Sequence, residues 1–575
     1  MRRTKIICTL GPATKSPEMV RRLMEAGMNV ARLNFSHGTY DEHQDLIDTI
    51  KEQAVLLELP VAILLDTKGP EIRTGLMPDA GVALQDGQEF LLDLDNAVGS
   101  LERTSVSYEK LWREVAVGSR ILLDDGLIEL RVVEITAGRI ATRVVHGGLL
   151  QSRKGVNVPG VSIQLPALTE KDIKDIEFGL ANEVDFIAAS FTRKAADIME
   201  VHKVVERHKS RVKIIAKIEN RDGVENVESI LNVCDGIMIA RGDLGVEIPV
   251  EDVPVSQKEI ICRCNAIGKT AIVATQMLDS MIRRPQPTRA EASDVANAIL
   301  DGADAIMLSG ETASGRFPVE ALEMMDRLAR RTEEIVFQTK CPGKHADSIS
   351  DAIAHASATL AEDLNATAII TPTQTGLTPN FIAMHRPRAL AIATTPFPQT
   401  ARMLALTWGV YPIIVPDVEG TDELLSVSVT YAQKNNMIKT GDIVVLTAGV
   451  PVGQAGTTNL IKVQVVGKVL ARGLGIGHAV ISGTASRLVD SEEFVDGQIF
   501  VAGTTGSEDM SVIAKAGALV VEEGGLTSHA AIAALEYKIP AVVAAHDAMK
   551  QIREGQFITV DAITGVIYEG VVSML

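Results

Sequence analysis

From the start of the chain to about residue 335, short apolar and often β-branched runs alternate with amphipathic helical stretches. Apolar runs of about four to eight residues read as buried strands, and apolar positions spaced three and four apart read as helix faces. The strand-like runs are Lys5–Leu10, Asn29–Leu33, Val61–Asp66, Val184–Ser190, Val212–Ile218, Gly236–Ala240, Ala271–Thr275 and Ala305–Ser309. Each is followed by a helical pattern such as Ser16–Ala26 or Glu251–Ile267, so the rhythm predicts eight βα units. That count matches a (β/α)8 TIM barrel of class α/β, with an open doubly wound sheet as the alternative.

The rhythm breaks between residues 70 and 167, where Gly, Asp and alternating apolar residues dominate, as in Gly118–Gly126. This segment reads as a small inserted β-domain. It leaves the barrel at the end of the third strand, on the face where TIM-barrel active sites lie, so it is placed to act as a lid. A fresh α/β pattern begins after residue 345, with helix Ile349–Leu364, strand Ala366–Thr371, helix Pro379–His385 and strand Ile443–Ala448. The glycine-rich stretch Ala471–Gly477 lacks the βα turn of a dinucleotide fingerprint and reads as a linker. Residues 478–575 form a last unit with strands at Ala518–Val521 and Ala541–Ala544. The expected domains are therefore a barrel over 1–69 and 168–340, a lid over 70–167, an α/β domain over 345–470 and a C-terminal domain over 478–575.

Composition narrows the function. With 575 residues, several domains and a large core are expected. Apolar residues make up 46% of the chain, yet no uninterrupted run approaches the ~18 residues of a membrane span. The opening Arg2-Arg3 and short apolar run end at Gly11-Pro12 and read as a first strand rather than a signal peptide. The five cysteines form no CxxC pair, which fits a reducing, cytoplasmic setting. Cys262 and Cys264, two apart on a helix, face different ways and read as ordinary packing residues. A net charge of -18 and 3% aromatics disfavour nucleic acid and anionic membranes as partners, so an anionic ligand needs a locally basic pocket.

Candidate chemistry gathers at strand ends. Arg32, Asn34 and Ser36 recur every second residue, so they share one side of an extended segment. The third strand ends with Asp66, Thr67 and, further on, Arg73. Oxygen donors from Asn34, Ser36, Asp66 and Thr67 suit a hard cation, and Arg32 and Arg73 suit phosphate. Lys217 and Glu219 share a face after the fifth strand, and Arg241-Gly242-Asp243 follows the sixth. Glu219 and Asp243 can hold a divalent cation while Lys217 sits beside a transferring phosphoryl group; a structural ion pair between Lys217 and one acid is the alternative. Thr275 and Ser309 add hydroxyls to the same ring.

The stretches NVARLNFSHG (Asn29–Gly38), LDTKGPEIRT (Leu65–Thr74), IAKIEN (Ile215–Asn220), IARGDLGVE (Ile239–Glu247), ATQMLDSM (Ala274–Met281), PTRAEASDVAN (Pro287–Asn297) and MLSGETA (Met307–Ala313) resemble the pyruvate kinase family over about residues 1–470. The resemblance implies a phosphoenolpyruvate site at Arg32, Gly242, Asp243 and Thr275. It implies Mg²⁺, or Mn²⁺, on Glu219 and Asp243, and K⁺ at Asn34, Ser36, Asp66 and Thr67. Nucleotide contacts would come from Asn34, His37, Arg73 and Lys154, with Lys217 stabilising the phosphoryl in flight and Thr275 near the proton delivered to carbon. The acid at Glu71 resembles the potassium-dependent members. ADP and ATP, pyruvate and a homotetrameric assembly are implied as partners.

The third domain resembles the family's effector domain, whose Thr371–Pro379 loop opens a helix where phosphate can meet backbone N–H groups. Thr373, Thr375, Gly376 and Thr378 are the candidate contacts. Gly449–Asn459 lacks the basic and aromatic residues of fructose-bisphosphate-activated relatives, which favours AMP or a sugar monophosphate as effector. EGGLTSHAA (Glu523–Ala531) resembles the swivelling phosphohistidine domain of pyruvate phosphate dikinase and enzyme I, and His529 matches the phosphorylated residue. No ATP-grasp region accompanies it, so a structural or regulatory role is expected. A dikinase-like phosphotransferase using His529 and an inactive metabolite sensor are the rival readings.

Overall fold

The computed structural model describes the whole chain except residues 96, 337–347, 450–457, 490–491 and 573–575. It divides into two compact units, one comprising Met1–His345 with Pro379–Arg386 and Phe397–Pro412, the other Ala346–Thr378, Pro387–Pro396 and Ile413–Leu575. The expected boundary between the barrel and the third domain, and Cys341, lie outside the described residues.

In the first unit eight strands close a parallel barrel: β1 (Lys5–Thr9), β2 (Val30–Asn34), β3 (Ala62–Asp66), β4 (Phe186–Ala189), β5 (Lys213–Ile218), β6 (Gly236–Ala240), β7 (Thr270–Ala274) and β8 (Ala305–Leu308). Each strand pairs with its neighbours in sequence, and β1 pairs with β8 to complete the ring, so the open-sheet alternative is excluded. Alternation fixes what fills it. Ile7, Val30, Ala62, Leu64, Phe186, Ala188, Ile215, Met238, Ile272, Ala305 and Met307 form one buried cluster. A second, larger cluster joins the other strand faces, such as Ile6, Ala31, Ile63 and Ile214, to the surrounding helices. Capping boxes start three of those helices, with Thr39 and Glu42, Thr169 and Asp172, and Thr288 and Glu291 satisfying each other's first-turn donors.

The inserted segment folds as a six-stranded sheet and a two-stranded ladder that share one apolar core, including Phe90, Leu92, Ile121, Leu130 and Leu150. Arg193, in the loop after β4, donates to the carbonyls of Ile163 (2.8 Å) and Leu165 (2.7 Å), tying the returning segment of this domain to the barrel.

In the second unit, β9 (Ala368–Pro372) lies between β10 (Leu390–Thr395) and β11 (Ile443–Gly449), and β12 (Thr458–Val465) runs antiparallel to β11. An eight-stranded mixed sheet follows, made of β13 (Val469–Arg472), β14 (Leu474–Ile476), β15 (Val480–Ser486), β16 (Ile499–Ala502), β17 (Ala518–Val521), β18 (Ala541–Val543), β19 (Phe557–Asp561) and β20 (Val566–Glu569). The stretch Ala471–Gly477, expected as a linker, instead supplies parts of β13 and β14. Its glycines permit close approach: a Cβ at Gly473 would lie 2.3 Å from the Val543 carbonyl oxygen. Dense glycine here reflects a crowded sheet rather than a free tether.

Among the described residues no helix is long and apolar enough to cross a membrane. Cys8, Cys234 and Cys264 are buried and Cys262 is exposed, all as free thiols.

Candidate active site

The alternation that fills the barrel with apolar side chains carries charge to its C-terminal mouth. Val30 is followed on the same face by Arg32 and Asn34, Leu64 by Asp66, Ala188 by Ser190, and Ile215 by Lys217 and Glu219. Lys217 Nζ lies 3.0 Å from Asp66 Oδ1, 3.0 Å from Glu219 Oε1 and 2.8 Å from Ser190 Oγ. Arg32 donates from Nε to Asp66 Oδ2 at 2.7 Å and from Nη1 to Thr9 Oγ1 at 2.9 Å. The Phe191 amide holds Glu219 Oε2 at 2.6 Å.

The electrostatics follow from this packing. Burial works against the Lys217 ammonium, but Asp66 and Glu219 outweigh it and raise its pKa above the ordinary lysine value. Burial also opposes the Asp66 carboxylate, yet Lys217 and Arg32 hold it below its usual range. Lys217 is therefore a fixed positive charge, and it is shared between two acids rather than paired with one.

Asp243 stands open on the cleft wall in a short helix, Arg241–Glu247, that begins directly after β6. The surrounding protein, and then the neighbouring Glu219 carboxylate, push its pKa up to about 7. The Gly242 amide donates to Thr275 Oγ1 at 2.7 Å. The cleft itself, of about 530 Å³, is lined by Glu71, Arg73, Asp124, Lys154, Asn157 and Asp243 among others. Arg73 is engaged by Glu71 at 2.7 Å and Lys154 by Asp124 at 2.9 Å.

The remaining expected residues divide. Asn34 pairs in register with Asp66, and its Oδ1 accepts from the Ser36 amide at 3.1 Å. Thr67 Oγ1 accepts from the Ser190 amide at 3.2 Å. His37 is exposed and holds His43 through its carbonyl, away from the Lys217 cluster's hydrogen bonds.

A family model described as "Pyruvate kinase, barrel domain" matches residues 1–322, and one described as "Pyruvate kinase, alpha/beta domain" matches 351–464. The chain belongs to the pyruvate kinase family. It is 50% identical to a pyruvate kinase of Geobacillus stearothermophilus over 585 residues, 50% to one of Sporosarcina psychrophila over 587, and 48% to one of Bacillus licheniformis over 586, with all of each chain covered. A third model, "PEP-utilising enzyme, mobile domain", matches residues 494–565. The likeness to these pyruvate kinases thus extends through the C-terminal domain, beyond the residues up to about 470 over which the sequence resembled the family.

Sequence reasoning passed over three participants in this pyruvate kinase site. Ser190, noted only as a strand end, lies 2.6 Å from the Thr67 carbonyl and 3.1 Å from Asp66 Oδ1 as well as touching Lys217. Its place on the inward face of β4 was the available signal. Thr9, two residues beyond the inward-facing Ile7 on β1, carried the same signal, whereas Arg241 follows no such alternation and needed the fold to reveal its partners.

In the second unit, Thr373 Oγ1 accepts from the Gly376 amide at 2.9 Å, and Thr378 Oγ1 lies 2.5 Å from Thr458 Oγ1. Thr375 is exposed between them. Most of the Gly449–Asn459 loop lies outside the described residues. His529 is exposed at the first position of helix His529–Tyr537, with Nδ1 3.3 Å from Thr505 Oγ1.

Proposed function

We propose that the chain transfers the phosphoryl group of phosphoenolpyruvate to ADP, giving pyruvate and ATP in the last step of glycolysis. The observation that carries this reading is the Lys217 ammonium, buried and fixed between Asp66 and Glu219 beside the acids of the barrel mouth. A lactate dehydrogenase-coupled assay with phosphoenolpyruvate and ADP tests it; no pyruvate formed above background refutes it.

The donor set fits the implied divalent cation. Glu219 and Asp243 are oxygen donors of like charge; burial first, and then the Glu219 carboxylate, raise the Asp243 pKa, and a cation between the two acids would relieve their repulsion. Two carboxylates leave most of the shell of Mg²⁺ or Mn²⁺ to water and substrate oxygens, as these cations commonly bind. When bound, the ion neutralises phosphoryl and enolate charge. Asn34, Ser36, Asp66 and Thr67 offer oxygens for K⁺, with the Asp66 oxygens already shared by Arg32 and Lys217. Activity that persists undiminished in Mg²⁺ buffer without K⁺ contradicts this assignment.

The residues then divide the work. Arg32 and the Gly242–Thr275 corner bind phosphoenolpyruvate, and Lys217, charged at any physiological pH, stabilises the migrating phosphoryl group without itself moving a proton. Arg73, Lys154, Asn34 and His37 contact the nucleotide from the cleft. Departure of the phosphoryl group leaves enolpyruvate, which takes a proton at carbon near Thr275.

Residues 345–470 form an effector domain in this reading. AMP or a sugar monophosphate binds the loop bearing Thr373, Thr375, Gly376 and Thr378, and saturation curves unmoved by any such metabolite refute it. Residues 478–575 act structurally or in regulation, so His529→Ala keeps its kcat; loss of catalysis in the folded variant would restore a phosphotransfer role. The assembly is a cytoplasmic homotetramer, checked by light scattering.

A further inference from the structure

Thr275 adopts a backbone conformation that its side chain disfavours. Its φ is +67° and that of Gln276 is +55°, so two successive residues lie in the left-handed region, the first of them β-branched. Such a conformation persists only where surrounding contacts impose it.

Those contacts converge on Arg241, which no motif assigned to chemistry. One Nη of its guanidinium donates to the Thr275 carbonyl at 2.9 Å and touches Met277 Sδ at 2.8 Å. The other donates to Asp294 Oδ1 at 2.7 Å, with Gln257 Oε1 at 3.5 Å. The side chain is only 12% exposed, and its Nε is buried with no partner in the structure. The guanidinium thus forgoes one hydrogen bond to bridge Asp294 and the Thr275 carbonyl, a span that its rigid fork can make and a lysine cannot.

The next residue completes the fixture. Gly242 N donates to Thr275 Oγ1, and that hydroxyl donates to the Ala274 carbonyl at 2.6 Å. With its proton and one lone pair committed, the hydroxyl keeps a single lone pair free, so its direction is set by the backbone.

We propose that Arg241, anchored by Asp294, is a positioning residue that holds Thr275 in its left-handed conformation and so fixes the hydroxyl's free lone pair to accept a hydrogen bond from the solvent water that gives its proton to enolpyruvate C3, the hydroxide left behind regaining a proton from bulk water. The inference rests on the reaction proposed above. The test compares wild type, Arg241→Gln, Arg241→Lys and Asp294→Asn by kcat, by KM for phosphoenolpyruvate, and by exchange of pyruvate C3 hydrogens for deuterium in D₂O followed by NMR. Arg241→Gln and Arg241→Lys are expected to lose about 10- to 100-fold in both kcat and exchange, with KM within about twofold, as befits a misplaced group at the reacting centre. Asp294→Asn, which keeps the guanidinium but frees it, falls by a smaller factor of about three to ten in both. Guanidinium ion added at millimolar concentration partly restores exchange in Arg241→Gln, which a general loss of folding would not allow. If Arg241→Gln does not fold, the lysine and Asp294 variants carry the comparison.

Wild-type exchange in the folded variants, or a rise in KM at unchanged kcat, overturns the positioning role. Failure of the wild type to make ATP overturns the reaction instead, so the two outcomes are distinct.

Discussion

Replacing Lys217 by Met removes the charge on which the site is organised while keeping a side chain of similar length. Lys217 is 10% exposed, and its loss strands Asp66 and Glu219, each of which it meets at 3.0 Å. Breaking a buried ion pair costs about 3–5 kcal/mol. Asp66 keeps Arg32 and Glu219 keeps the Phe191 amide, so the lower end applies, and the barrel transition falls by about 6 °C or more. The catalytic loss is larger in consequence. A unit charge about 4 Å from another, at an effective dielectric of about 20, is worth about 4 kcal/mol, and only the part that grows in the transition state counts. A preorganised group of this kind carries about 2.7–4 kcal/mol, or about 10²- to 10³-fold in kcat.

The pH dependence has a definite sign. Asp66 titrates below its unfolded value, so its contribution is present above that value, about 3.9, and is lost as pH falls through the folded pKa. The variant's instability relative to wild type is therefore greatest at neutral pH and shrinks below about pH 4, where a stranded carboxylate takes up a proton. Steady-state kinetics beside denaturant unfolding across pH measure both. A near-normal kcat, or a loss that merely tracks the folded fraction, would remove Lys217 from its role in phosphoryl transfer.

Three further outcomes are expected. Gly69 has φ +71°, and a Cβ there would lie 2.8 Å from the Phe191 ring and 2.9 Å from Ser190 Cβ, so Gly69→Ala should displace Ser190 and lower kcat by about tenfold or more, read by steady-state assay. Burial raises Asp185 to about 6 despite Arg402 Nε at 2.9 Å, so its contribution is present below its unfolded pKa and lost as pH rises from about 3.9 to about 6. Asp185→Asn should flatten the stability profile across that window in urea titrations. Arg193→Ala should free the strap around Ile163 and Leu165, exposing it to limited proteolysis and lowering kcat/KM for ADP by about tenfold.

What the chain disclosed in advance depended on periodicity. The barrel strands matched their apolar runs to within a residue or two because burial on both faces leaves a continuous signal. Arg32 and Asn34, two apart, likewise foretold a polar strand end, and Lys217 and Glu219 foretold a shared face. The Thr275–Gln276 conformation left no mark, since neither residue is one that advertises a left-handed backbone. Ala471–Gly477 misled because glycine marks both free tethers and crowded sheets, and only the Val543 carbonyl beside Gly473 tells them apart. Arg241 was visible at the strand end, but its role stayed hidden because its partners, Asp294 and Thr275, are brought together by the barrel rather than by spacing along the chain.

The most direct measurement is Mn²⁺ binding to the full-length protein, followed by electron paramagnetic resonance with and without oxalate. One tight site per chain that oxalate perturbs is expected, weakened by about tenfold or more in both Glu219→Gln and Asp243→Asn. Unchanged Mn²⁺ affinity in both folded variants would place the ion elsewhere, away from Glu219 and Asp243.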